Sequence, residues 1–192
     1  GARQVGKSSS VHHLARQFDN FVEINFERRP AYLEIFQGDR DAKHIVEMIK
    51  SITGKPIVPG KTLLFLDEIQ MCQEAISSLR FFWEDMPELH VIAAGSLLEF
   101  ALNEIPTFGV GRIHSMFMYP MSFDEFLNAL GMTSLQHQKR EASMEKPLLS
   151  ALHEQLVALF RTYLMVGGMP ESVATWVDTH SYVECQAVQK EI

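Results

Sequence analysis

The sequence predicts a three-layer α/β/α domain on a mainly parallel sheet, followed by a helical region. Three observations lead there. The run "TLLFLDEIQ" at 62–70 is apolar until Asp67, as in a strand covered on both faces. A glycine-containing opening passes directly into a helical pattern. Strand-like and helix-like segments then alternate, the order of a sheet with helices on both sides.

Element by element, Val11, Leu14, Ala15 and Phe18 recur at helical spacing and predict a helix over about 7–18. "FVEINF" at 21–26 alternates apolar and polar residues and reads as a strand. Ala42, Ile45, Val46, Ile49 and Ile52 share one face of a helix over 41–52, ahead of the apolar strand that ends in Asp67 and Glu68. Ala75, Ile76, Leu79, Phe82 and Trp83 mark a further helix that stops near Pro87, and "LHVIAAGS" at 89–96 reads as another buried strand. "RIHSMFMYP" at 112–120 has strand character and closes on Pro120. Ser122, with Glu125 three positions on, has the form of a capping box, and Phe126, Leu127 and Leu130 then face inward. The polar stretch "QHQKREASMEKP" at 136–147 is the expected linker between a core over 1–135 and a helical region over 148–192. That region carries Leu149, Leu152, Leu156, Leu159, Phe160 and Tyr163 on one helix, then a "GGMP" break and a helical tail.

With 192 residues, 46% of them hydrophobic, the chain can bury one full core and part of a second. Its formal charge of −7 is spread along the sequence, so nothing global attracts nucleic acid or an anionic membrane. The basic pairs Arg28–Arg29 and Lys139–Arg140 are short and read as solvated surface. Cys72 and Cys185 lie far apart and offer neither a disulfide framework nor a CxxC site, which fits a cytoplasmic location. The most apolar stretch, "LHVIAAGSLLEFAL", is interrupted by His90, Ser96 and Glu99 and is too short for a membrane span.

The opening "GARQVGKS" fits G-x-x-x-x-G-K-[ST], a loop whose backbone N–H groups wrap phosphates. Gly1 and Gly6 allow dihedrals and close approach that a Cβ would obstruct, with Ala2, Arg3, Gln4 and Val5 between them. Lys7 supplies a mobile positive charge for the β and γ oxygens. Ser8 supplies a hydroxyl for magnesium, and with Ser9 it opens a helix whose N-terminal dipole favours an anion. A second stretch, "GKPIVPGKT" at 54–62, is a decoy: its glycines are one residue too far apart, Pro56 and Pro59 lack N–H donors, and a strand follows it.

At the end of the apolar strand, Asp67 is placed to bind magnesium and Glu68 to polarise an attacking water. Adjacent acids with those two jobs suggest hydrolysis; two acids opening a helix are the competing account. The 60 residues between Lys7 and Asp67 hold a strand with a helix on either side, a spacing that simple GTPases lack. No N-K-x-D segment is present to read guanine, which favours adenine and so ATP. Ser96, just after "VIAAG", is placed to sense a γ-phosphate or attacking water, or else is a turn serine. Arg112 is a candidate arginine finger or a surface arginine.

With "GARQVGKSS", "TLLFLDEIQ", "AAGSLLEF", "GRIHSMFMYPMSFDEFL" and "YLMVGGMPESV" in this order, almost the whole chain resembles a family of bacterial and archaeal ATPases of the AAA+ superfamily. The resemblance rests on Arg3 and Gln4 inside the loop, on the "DEIQ" ending and on the "YP-S-EFL" segment. It implies an ATP-binding, Mg2+-dependent core, a small helical, winged-helix-like region and a further C-terminal domain that this chain does not reach. It also implies a central strand before the phosphate loop. Since Gly1 falls inside the motif, the chain is expected to be a fragment without that strand. The function expected is ATP binding and hydrolysis, with a protein partner or homo-oligomer left open. A nucleotide-gated switch with little hydrolysis and a DNA-associated ATPase are the rival readings.

Overall fold

The computed structural model describes residues 4–38, 41–96 and 112–191, and the chain forms two compact units, built mainly on residues 6–117 and 118–191. In the first unit, α1 (Lys7–Ala15) leads to β1 (Asn20–Asn25), a 3-10 turn over Pro30–Phe36 and α2 (Ala42–Thr53). Next come β2 (Thr62–Asp67), a short 3-10 turn over Ile69–Met71, α3 (Gln73–Asp85) and β3 (His90–Ala94). The strands lie in the order β1-β2-β3, all parallel, with Asn25 opposite Asp67 and Asp67 opposite Ala94.

The pleat explains why β2 is apolar throughout. Leu64 and Leu66 join Val22 and Ile24 of β1 on one face, against Ile45 and Ile49 of α2 and Ile76 and Phe82 of α3. Leu63 and Phe65 point the other way, against Val11 and Ala15 of α1. Each such side chain, fully buried, stabilises the fold by about 1.5–3 kcal/mol, so a polar residue at 63–66 would be costly on either face. Asp41 caps α2 by accepting the Lys43 N–H at 2.9 Å, and Gly54, at φ 67°, ends that helix.

Several boundaries and exposures differ from expectation. The first helix stops at Ala15, not Phe18. The third strand is only partly buried until Ala94, because among the described residues it has one neighbour, β2, and therefore an edge. Residues 112–120 form no strand: an extended segment needs a ladder partner, and Met116, Phe117 and Tyr119 stand exposed. Trp83, expected inward, is 54% exposed in the last turn of α3.

The second unit is helical: α4 (Phe123–Ala129), α5 (Thr133–Glu141), α6 (Ser150–Val166), α7 (Pro170–Thr179) and α8 (Tyr182–Glu191). The stretch expected as a linker is thus helical as far as Glu141. The capping box forms at α4: Glu125 N–H donates to Ser122 Oγ at 3.3 Å, and Ser122 N–H donates to Glu125 Oε2 at 2.7 Å. Phe126, Val166, Val173 and Cys185 make one core cluster, and Leu127, Leu135 and Leu156 a second. At the "GGMP" break, Met121 N–H donates to Gly168 O at 2.6 Å, and a Cβ on Gly168 would strike the Met121 carbonyl oxygen. Leu149, expected on that helix, is its N-cap and is 73% exposed, and Phe160 is half exposed with its ring against Phe123. Asp124 pairs with Lys139 and Arg140 of α5, and these cations, Lys139 foremost, hold its carboxyl below the usual value. Among the described residues no helix is long and apolar enough to cross a membrane. Each unit buries one cysteine, and burial pushes the Cys72 thiol up to about 11.

Candidate functional site

The site gathers at the carboxyl ends of the strands, where ligands of open α/β sheets bind. The helix after the loop enters it at Gly6, left-handed at φ 92°. Gly6 occupies the N-cap position of α1 in a conformation that a Cβ would disfavour, and its carbonyl accepts the Ser10 N–H at 2.9 Å. No side chain caps α1 and no acid lies in its first turn, a helix start suited to an anionic oxygen. Gly1, Ala2 and Arg3 lie outside the described residues, as does the "GVG" before Arg112.

Ser8 at the start of α1 reaches Asp67 at the end of β2. Its Oγ lies 3.2 Å from Oδ2 and 3.3 Å from Oδ1 of that carboxylate. Asn25, which ends β1, donates from Nδ2 to Asp67 Oδ2 at 2.9 Å. Its own Oδ1 accepts the Arg28 N–H at 2.8 Å, which fixes the amide orientation. Sequence reasoning missed Asn25; the signal was a polar residue closing the strand that pairs in register with Asp67.

Asp67 is 6% exposed, and burial, followed by the adjacent Glu68 charge, raises its pKa above the ordinary value; the Ser8 hydroxyl opposes this. Glu68 leaves the strand in a left-handed conformation, φ 52°, that turns it away from the strand direction. Its Oε2 accepts from Gln70 Nε2 at 2.5 Å. Gln70 rests against Gly95, where a Cβ would collide with Gln70 Oε1. Ser96 follows, its hydroxyl buried and without a hydrogen-bond partner among the described residues.

The structure therefore brings together Ser8, Asp67 and Glu68 and adds Asn25, Gln70 and Gly95. Arg112 is engaged elsewhere: its Nε lies 3.2 Å from Glu84 Oε1 of α3, and its guanidinium lies 6.0 Å from the Trp83 ring.

A parallel sheet flanked by helices, with a phosphate-loop helix start opposite a strand-terminal acid pair, is the fold of a P-loop ATPase. The chain belongs to the AAA domain family, whose model matches residues 1–127. It is similar in structure to a Walker-type ATPase of Pyrococcus abyssi, with a TM-score of 0.54 at 15% identity. The match covers 100% of this chain and 65% of that one, so the chain spans about two thirds of that protein's length. No curated protein matches the chain.

Proposed function

We propose that the chain binds ATP with Mg2+ and hydrolyses the β–γ phosphoanhydride. The observation that carries this reading is the meeting of Ser8 and Asp67, 59 positions apart in sequence, with Glu68 beside them. A serine at a phosphate-loop helix start and a strand-terminal aspartate have no need of each other in a bland fold. Both are hard oxygen donors, and so few protein ligands suit Mg2+, which keeps water and phosphate oxygens in its shell. The chemistry of the set supports the fit: Asp67 is held by neutral donors and faced by a second carboxylate, so a divalent cation there would offset both charges.

In this reading the amides at Gly6, Lys7 and Ser8 and the Lys7 ammonium hold the phosphates, and Ser8 and Asp67 hold the metal. When bound, Mg2+ supplies charge neutralisation at the β and γ oxygens. Glu68 orients the attacking water and takes one of its protons as the water oxygen bonds to the γ-phosphorus. The bridging P–O bond to the β-phosphate breaks, giving ADP and inorganic phosphate. Ser96 lies at the end of the neighbouring strand, where its hydroxyl suits a γ-phosphate oxygen or the water. Arg112, neutralised by Glu84, is assigned no step at this chain's own phosphates.

The test is steady-state turnover of Mg·ATP by the chain beside its Lys7→Ala variant, with and without EDTA. Turnover that needs both Lys7 and Mg2+ is expected. Equal rates in the two proteins, or binding of ATP that ignores Lys7, would overturn the reading.

A further inference from the structure

We infer that Gln70 is a positioning residue for Glu68, holding its carboxylate at the attacking water through a clamp seated on Gly95. The inference deepens the ATPase reading above and rests on it. Four observations bear on it together. Gln70 Nε2 donates to Glu68 Oε2 at 2.5 Å, leaving the other carboxylate oxygen for a water. Glu68 sits at φ 52°, a conformation that non-glycine residues adopt sparingly and that persists where the surroundings fix it. Gln70 Oε1 is buried and has no donor among the described residues. A glutamine present only to fill space would ordinarily have that atom satisfied. Last, the side chain is accommodated only because residue 95 lacks a Cβ: an added one would strike Oε1 and come within 3.2 Å of Cδ.

The orphaned carbonyl oxygen and the orphaned Ser96 hydroxyl flank Gly95 at the end of β3. One amide thus lies between Gly95, just past the end of β3, and the carboxylate that acts on water. Glu68 is the group that takes the proton; Gln70 touches Glu68 and sets where it points. Ser8 bonds Asp67 and not Glu68 or Gln70, and the clamp acts on the carboxylate that meets water, so its loss falls on turnover more than on nucleotide affinity.

The experiment is a double-mutant cycle on Gln70→Ala and Gly95→Ala, reading kcat and KM for Mg·ATP, affinity for ATP by calorimetry, and thermal midpoint. Gly95→Ala is informative because the atom it displaces is the free end of a flexible side chain, so the fold can yield by moving Gln70 alone. Each single variant is expected to lower kcat about 10- to 100-fold, the size of one hydrogen bond to a charged group. KM and ATP affinity should stay within about twofold of wild type. Gly95→Ala should then cost nothing further in the Gln70→Ala background, since the two act through one contact. Additive losses, an unchanged kcat in either single variant, or a loss in KM and affinity instead of kcat would each overturn the clamp. Absence of turnover in the wild-type chain would instead overturn the ATPase reading, and the clamp with it.

Discussion

Asn25 Nδ2 donates to Asp67 Oδ2 at 2.9 Å across a register pair of two parallel strands, so the aspartate is oriented by its neighbour strand as well as by Ser8. Groups that orient a metal-binding carboxylate are typically worth about 10- to 100-fold in affinity or activity. Asn25→Ala is accordingly expected to weaken Mg2+-dependent ATP binding by about tenfold. Calorimetry at varied Mg2+ reads it; an unchanged Mg2+ dependence would leave Asn25 with a purely structural role.

Asp67 carries a raised pKa in the folded state, so the sign of its effect on stability is opposite to that of an ordinary paired acid. Its share of stability is fully present below the unfolded-state value and is lost as pH rises through the folded value. At neutral pH the buried carboxylate therefore burdens the nucleotide-free chain. Asp67→Asn should raise stability at pH 7 by roughly 0.5–2 kcal/mol, the usual gain when a site residue is relaxed, while abolishing Mg2+-dependent binding. A fall in thermal midpoint at pH 7 would contradict this.

Glu68→Gln keeps size and hydrogen-bonding reach but removes the proton acceptor. It should bind ATP as wild type does and lose about 10²- to 10⁴-fold in turnover. Single-turnover hydrolysis and a binding isotherm, measured on one preparation, decide it.

In the helical unit, Asp124 lies 2.8 Å from Lys139 Nζ and accepts from Arg140 Nε at 3.2 Å. With its pKa depressed by these cations, Lys139 first, the group contributes stability above the unfolded-state value and loses it as pH falls through the folded one. Asp124→Asn should cost about 0.2–1 kcal/mol at pH 7, as partly solvated ion pairs do, and flatten the acid limb of a melting profile below about pH 4. High salt should shrink the difference; an effect indifferent to both pH and salt would remove charge as its origin.

What could be foreseen from sequence followed from short-range physics. Leu63 to Leu66 read as a doubly covered strand because the apolar run is short, follows a Pro- and Gly-containing stretch and closes on two acids, which then emerge at its end. Ser122 and Glu125 satisfy one another within a single turn, so their box was equally visible. Asn25 and Gln70 were hidden for a different reason. The amide of Asn25 gains its meaning only when β1 pairs with β2, 42 positions away, and Gln70 only when Gly95, just past β3, lies against it. The misreading of 112–120 has the same origin. Strand propensity describes a side chain's fit to a pleated surface, and Phe117 and Tyr119 have the propensity without the surface.

The two thiols give the molecule a pair of internal clocks. Cys72 and Cys185, each 1% exposed and in separate units, react with a soluble alkylating reagent only during a fluctuation that uncovers them, and the raised pKa of Cys72, which keeps the thiol protonated, slows it further. Peptide mass mapping after timed exposure would date the opening of each half independently in unmodified protein. Nucleotide should slow the Cys72 clock and leave that of Cys185 nearly unmoved.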